Sequence, residues 1–304
     1  MQIVQCVPNF SEGRRSEVID TIITEITSVP NVMVLGQEMD ASHHRSVITF
    51  AGSPAGVKEA AFKSVRKASE LIDLTKHRGE HPRMGATDVI PFIPLKNITM
   101  AECVILAHEL GQKIGEQLKI PVFFYEEAAT RPERKNLANV RKGGFEGLRE
   151  EIGRDPARQP DFGPARIHPT AGATAVGARF FLVAYNINLN TDDLQIAKKI
   201  ARTIRESSGG LPFVKALGII VEQNGKKIAQ VTMNLTNYKI TPMKTVLTAI
   251  KEETRKSGVE ILESELIGLL PADALTGTSP EELLIKNFNP EKQIIENRLE
   301  NLGM

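Results

Sequence analysis

An α+β fold of two ferredoxin-like β-α-β-β-α-β subdomains, the first of them elaborated, is predicted by three observations. Short apolar runs bounded by turn residues alternate with stretches whose apolar positions recur every three or four residues, so strands alternate with helices. In each half, two strand-like runs follow one another directly, which a purely parallel β-α-β chain would not contain. The length of 304 residues exceeds the usual size of one domain, about 100 to 200 residues, so two subdomains are expected, over 1–178 and 179–304.

The elements follow in order. Residues 3–7 are a short apolar run closed by Pro8-Asn9 and read as a strand. Val18, Ile19, Ile22, Ile23 and Ile26 then repeat with helical spacing over 16–27, with Ser16 as the expected N-cap. Residues 32–35 and 46–50 read as strands, joined by the polar stretch from Asp40 to Arg45; Pro54 opens a helix to about 72, and 88–95 return to a strand. Thr99 caps a helix over 99–119 with Cys103, Leu106, Leu110, Ile114 and Leu118 on one stripe, and 121–125 supply a strand. From 132 to 177 the pattern gives way to basic, Gly- and Pro-rich sequence, an irregular connection of a length uncommon in compact domains unless it is functional. A strand over 180–189, a helix over 192–207, a hairpin of 214–223 and 227–235 around Asn224-Gly225, a helix over 242–256 and a strand over 259–270 complete the second β-α-β-β-α-β set. The helical stretch after Pro290 is expected to cap it. The sheet faces left without helices are expected to meet each other or a partner subunit.

Composition narrows the function classes. Lys plus Arg number 38 against 37 Asp plus Glu, so net charge provides no general attraction to nucleic acid or to an anionic membrane. Trp is absent and 5% of residues are aromatic, which argues against base-stacking surfaces. Cys6 and Cys103 are too few for a disulfide framework or a cysteine-based metal site and fit a reducing cytosol. The start M-Q-I-V-Q-C-V-P-N-F lacks the layout of a signal peptide, and no apolar run approaches the roughly 18 residues of a membrane span. The expectation is a cytoplasmic protein acting on small molecules, with no nucleic-acid or membrane partner.

Chemistry concentrates between Thr75 and Val89, T-K-H-R-G-E-H-P-R-M-G-A-T-D-V. Lys76, Arg78 and Arg83 surround His77, Glu80 and His81, while Gly79, Pro82 and Gly85 force a bent backbone. Histidine carries protons near neutral pH, and His81, between Glu80 and Pro82, is the first candidate for a catalytic base. The same residues contain H-x-x-E-H, a zinc-hydrolase pattern; Gly79 between the histidines and Pro82 directly after them disfavour the helix that pattern needs. Arg45, at a strand entrance, can bind a carboxylate or pair with Asp40; His43 and His44 carry little weight beyond turn chemistry. The stretch from Pro8 to Gly13 lies at the carboxyl end of the first strand, where small-molecule sites often form, although a helix-entry turn uses similar residues. In 163–172, Arg166 and His168 are polar handles within a Gly and Pro frame that lets backbone approach a flat ligand. No G-x-G-x-x-G or Walker-type sequence occurs.

C-V-P-N-F-S-E-G at 6–13, G-E-H-P-R-M-G-A-x-D at 79–88, P-F-I-P at 91–94, D-F-G-P at 161–164 and Y-N-I-N-L at 185–189 stand in one order along nearly the whole chain. In this the sequence resembles the glutamate formimidoyltransferase family, folate enzymes of histidine degradation that in animals are fused to a cyclodeaminase. The resemblance implies transfer of a formimino group from N-formimino-L-glutamate to tetrahydrofolate as co-substrate, without a metal, by a homodimer. It places the catalytic histidine on His81 and folate binding on Gly163, Pro164, Ala165, Arg166, Ile167, His168, Pro169, Thr170, Ala171 and Gly172. Substrate binding is expected at Asn9, Asp40, Arg45, Glu80 and Arg83, and no cyclodeaminase activity is expected. Formyl transfer from N-formylglutamate, a zinc hydrolase and a non-catalytic folate-binding protein are the alternatives.

Overall fold

A computed structural model describes residues 1–79, 82–223, 225–301 and 303. The chain divides into two compact units, Met1–Arg179 and Phe180–Met304. Both mix helices with one sheet, an α+β fold.

The first unit opens with β1 (Ile3–Cys6) and β2 (Asn9–Phe10), two pieces of one sheet position that both pair with β4 (Arg45–Gly52) and β5 (Thr87–Lys96). Pro8 separates them because it has no N–H to give the ladder. Helix α1 (Ser16–Thr27) leads to β3 (Val32–Asp40), the antiparallel partner of β4, and α2 (Pro54–Leu71) leads to β5. Helix α3 (Met100–Lys113) crosses over to β6 (Val122–Glu126). Ser53 caps α2, and Thr99 with Glu102 forms a capping box on α3. The sheet order is β3-β4-(β1/β2)-β5, extended by β7 (Thr174–Ala178) and then β6, both parallel to β5.

Three expectations need correction here. The stretch 132–177 is not merely a connection: it contains α4 (Leu137–Val140), α5 (Gly144–Glu151) and most of β7, which sits inside the sheet between β5 and β6. Ser16 is not the cap of α1 but its first residue, and Arg15 before it makes no side-chain cap bond. Helical hydrogen bonding over 99–119 is regular only to Lys113, followed by a π-type turn at Ile114–Leu118 that ends in left-handed Lys119.

Alternation explains the layers. In β6, Val122 and Phe124 join the core beneath α1, α2 and α3, whereas Phe123 and Tyr125 join a second cluster with Val140, Leu148 and Ile152. Both faces of the β5-β7-β6 part are thus covered, the second by the excursion between β6 and β7.

The second unit is β8 (Val183–Leu189), α6 (Leu194–Ile204), β9 (Val214–Gln223), β10 (Lys226–Leu235), α7 (Met243–Ser257) and β11 (Ile261–Ile267). Its sheet is antiparallel throughout in the order β11-β8-β10-β9. Asn224, in the hairpin turn, lies outside the described residues. The first strand is shorter than its apolar run, with Phe180 39% exposed before it begins. After β11 the chain closes on its own unit: the Tyr185 hydroxyl donates to the Leu283 carbonyl at 2.7 Å, and Leu270 donates its N–H to the Gln293 carbonyl at 2.7 Å and accepts the Ile295 N–H at 3.0 Å, where the last two short helices, α8 (Pro290–Gln293) and α9 (Ile295–Asn301), meet. No helix among the described residues is long and apolar enough to cross a membrane.

Candidate functional site

A polar cavity of about 500 Å³ lies in the first unit. The loop after β2 contributes Ser11, Glu12 and Arg15; the β3–β4 turn contributes His44; the end of α2 contributes residues 69–73; Lys76 and His77 follow, and Thr170 closes one side.

Glu12 organises the first wall. Its carboxylate is 1% exposed, accepts the backbone N–H groups of Arg14 and Arg15 at 2.9 and 3.0 Å, and pairs with the Arg15 guanidinium at 2.5 Å. Its negative charge thus stands on the turn that leads into the positive end of α1. Burial works to raise its pKa, but those two N–H groups and Arg15 outweigh burial and hold the carboxyl below the usual glutamate range. Ser11 donates to the Gly85 carbonyl at 2.7 Å and fastens this loop to the strand opposite.

Two histidines form the second wall. His44, left-handed at φ 52, accepts the Gly13 N–H on Nδ1 at 3.0 Å and stacks on His77 with ring centroids 4.3 Å apart and planes 22° apart. His77 Nε2 donates to the His44 carbonyl at 2.9 Å, and its Nδ1 accepts Arg83 Nε–H at 3.0 Å. Burial lowers the pKa of both rings; each is also disfavoured as a cation by a neighbour, His77 beside His44 and Arg83 beside His77. Both are neutral at pH 7 with the proton on Nε2.

Of the substrate-binding candidates, Asp40 and Arg45 face each other across the β3–β4 ladder. Asp40 is half-exposed and accepts the His43 N–H at 2.8 Å and its ring at 2.7 Å; that backbone bond first, then the ring, holds its pKa below the aspartate range. Asn9 pairs with Val47 and Val89 in the sheet and donates its amide to the Val7 carbonyl at 3.2 Å. Arg83 is committed within the chain: besides its bond to His77, it grips Glu146 with two nitrogens at 3.0 and 2.7 Å. Glu80 and His81 lie outside the described residues.

The segment 163–172 runs from the end of α3 to the cavity. Gly163 is left-handed, and a Cβ there would lie 2.7 Å from the Ile120 carbonyl, so close packing explains it. Asp161 before it takes the Arg134 guanidinium at 2.6 Å and the Phe124 N–H at 2.8 Å, which makes D-F-G-P an anchor of the connection. Pro164 is half-buried, Ala165, Arg166 and Pro169 are exposed, and Ile167 packs on the cluster under α5. His168 and Gly172 exchange backbone bonds at 3.0 and 3.1 Å, and His168 Nδ1 accepts the Ala171 N–H at 3.0 Å. Thr170 accepts the Leu74 N–H at 2.9 Å on its carbonyl and reaches the cavity; Ala171 and Gly172 are buried against Ala86 and Met84.

The sequence marks Glu12 only as part of a stretch where sites often form, and gives His44 little weight. Residues of a turn and of a helix entry have a local explanation, and only contacts across 33 residues reveal what these two touch. Among the described residues no group of three or more His, Cys, Asp or Glu is arranged to hold a metal ion.

Comparison with known proteins agrees with this architecture. The formiminotransferase domain, N-terminal subdomain, matches residues 3–179, and the formiminotransferase domain matches residues 184–283. The chain belongs to the formiminotransferase family, a family of transferases. It is 50% identical over 298 residues to a glutamate formimidoyltransferase of Streptococcus pyogenes serotype M1, covering 98% of this chain and 99% of that protein. A glutamate formimidoyltransferase of Thermoplasma acidophilum is 46% identical over 302 residues, 99% of this chain and 98% of that one. The mouse formimidoyltransferase-cyclodeaminase is 40% identical over 98% of this chain, which spans 56% of it.

Proposed function

We propose that this chain transfers the formimino group of N-formimino-L-glutamate to tetrahydrofolate, releasing L-glutamate and 5-formiminotetrahydrofolate, in histidine degradation. The observation that carries the reading is identity of 50% and 46% with two glutamate formimidoyltransferases along nearly their whole lengths.

The chemistry asks for a nitrogen of the folate ring to attack the amidine carbon, a base to take its proton and an acid to protonate the departing glutamate nitrogen. His81 is assigned both proton transfers in turn, without a metal; such transfers contribute about a hundredfold to ten-thousandfold. The formimino group is a strong base and reaches the enzyme as an amidinium. The Asp40 carboxylate, kept ionised first by the His43 N–H, offers it a counter-charge, and Arg45 at the other end of the same turn suits a glutamate carboxylate. Arg83 has three of its five N–H groups on His77 and Glu146, so we assign it to holding the site together, with two N–H groups left for a substrate carboxylate. Folate is assigned to 163–172, where Arg166 is exposed to meet its glutamate tail. The protein is proposed to act in the cytoplasm as a homodimer.

Incubation with tetrahydrofolate and either formiminoglutamate or formylglutamate tests the reading. Formation of the formimino adduct is expected; product from formylglutamate alone would replace the donor, and binding without turnover would make the protein a folate carrier. Size-exclusion chromatography with light scattering checks the dimer.

A further inference from the structure

The geometry points to a positioning latch: His77, Arg83 and Glu146 tie residues 77–79 and residue 83 to one another, to α5 and to the β3–β4 turn. Nothing in the reaction as proposed requires these three side chains to touch substrate. The inference rests on formimino transfer only for its activity readout.

Four independent contacts define the latch. His77 is 4% exposed and uses both ring nitrogens, Nε2 toward the His44 carbonyl at 2.9 Å and Nδ1 from Arg83 Nε at 3.0 Å. A carbonyl can only accept and a guanidinium can only donate, so the ring holds one proton, on Nε2. Arg83 has its two remaining nitrogens on Glu146, and its carbonyl accepts the Phe145 N–H at 2.9 Å, so side chain and backbone both dock on the first turn of α5. Between the tied ends, a Cβ on Gly79 would lie 2.5 Å from the His43 carbonyl and 2.6 Å from His44 Cβ; the backbone is seated directly on the turn. His44 covers the exposed face of the His77 ring by stacking. The sequence puts Glu80 and His81 between these fixed points.

The latch works with a neutral His77. A second proton would sit on Nδ1, facing the Arg83 Nε–H donor to donor. The groups around the ring are Arg83 and Arg14, which oppose that proton, the stacked His44, and Glu12, which favours it; burial opposes it most. Glu146 compensates the charge of Arg83 and keeps the guanidinium aimed at the ring. Misplacement of a catalytic group by about 1 Å costs on the order of a hundredfold, which sets the scale of what the latch protects.

The test uses the full chain and the variants Glu146→Ala, Glu146→Gln, Arg83→Lys and His77→Phe, the last keeping the stack while removing both hydrogen bonds. Turnover is measured with tetrahydrofolate and formiminoglutamate, and hydrogen exchange of the 77–83 backbone is followed from pH 5.5 to 8 without substrates. We expect Glu146→Ala to lower kcat about tenfold to a hundredfold with KM within about twofold. Protection relative to the intrinsic exchange rate at each pH should fall about tenfold, Glu146→Gln should restore part of both, and wild-type protection should fall on acidification while that of His77→Phe is already low and flat. Glu146 is exposed, so its variants fold even where His77→Phe does not. Raised KM with unchanged kcat would make Arg83 a substrate ligand and overturn the latch, as would unchanged exchange in the Glu146 variants or raised exchange with unchanged kcat. A wild type that exchanges as expected but transfers nothing would remove the functional reading and leave the latch standing.

Discussion

His44 and His77 share one consequence: each is withdrawn from water against another ring, His77 buried and His44 partly so, and desolvation disfavours the charged form of both. Their folded-state pKa values are lowered, so the unfolded chain binds more protons than the folded one once pH falls below the free-histidine value of about 6.5. Stability is therefore full above that pH and is lost as pH falls toward the lowered values. Melting temperature measured at pH 7.5, 6.5 and 5.5 is expected to drop on acidification in the wild type and to drop less in His44→Gln and His77→Gln; equal slopes in all three would remove the pair as the cause. At the reacting centre the expectation is different in kind. His81→Ala should lower turnover by about two to four powers of ten with folate binding largely intact, whereas Arg166→Ala should weaken folate binding more than turnover. Unchanged turnover in the first, or an unaltered folate Kd in the second, would send the role elsewhere. The residues that sequence reading ranked highest were those with dense charge around Gly and Pro, the stretch 75–89. His44 was opaque because turn-forming residues look alike whether or not they also line a cavity, and Glu12 was marked only by its place after the first strand.

Among elements, those built on local periodicity were readable and those built on neighbours were not. The apolar stripes of α1, α2, α3, α6 and α7 mark the faces that are buried. β7, T-A-V-G-A, is too short and too small-sided to read as a strand; it becomes one because β5 and β6 flank it with parallel ladders on both sides. Its entry is fixed by Gly172, left-handed at φ 71, where a Cβ would stand 2.2 Å from the Met84 carbonyl. Gly209 is similarly left-handed, at φ 84, but has nothing within 4 Å of its missing Cβ. The pair separates strain from space. Gly209→Ala should cost about 1 to 2 kcal/mol, the price of a left-handed backbone, while Gly172→Ala should cost about 1 to 3 kcal/mol more for displacing the strand opposite. Chemical denaturation of both variants measures the difference, and equal losses would mean that the Met84 backbone yields freely.

At the scale of the whole molecule, the second unit carries what a domain needs within its own residues. Its core members lie between Val183 and Ile294, and its length falls in the range of about 100 to 150 residues most common for domains. The face of its sheet away from α6 and α7 carries exposed apolar side chains, Leu217 and Ile267 among them, beside polar groups that bond to one another. Asn186 and Asn188 alternate along β8 with core residues Tyr185, Ile187 and Leu189. Gln230 donates to Asn188 at 2.8 Å, Asn188 to Glu263 at 3.3 Å and Thr232 to Asn186 at 2.9 Å. Groups that satisfy one another across strands need no apolar cover, and the core on the other face is complete within the unit. Residues 180–304 expressed alone should therefore give a mixed helix and strand circular dichroism spectrum and a single cooperative melt. They should transfer no formimino group, since His81 and the segment 163–172 belong to the other unit. A featureless, non-cooperative melt would show that the closing contacts of Tyr185, Leu270 and Ile295 are not enough to hold this fold together unaided.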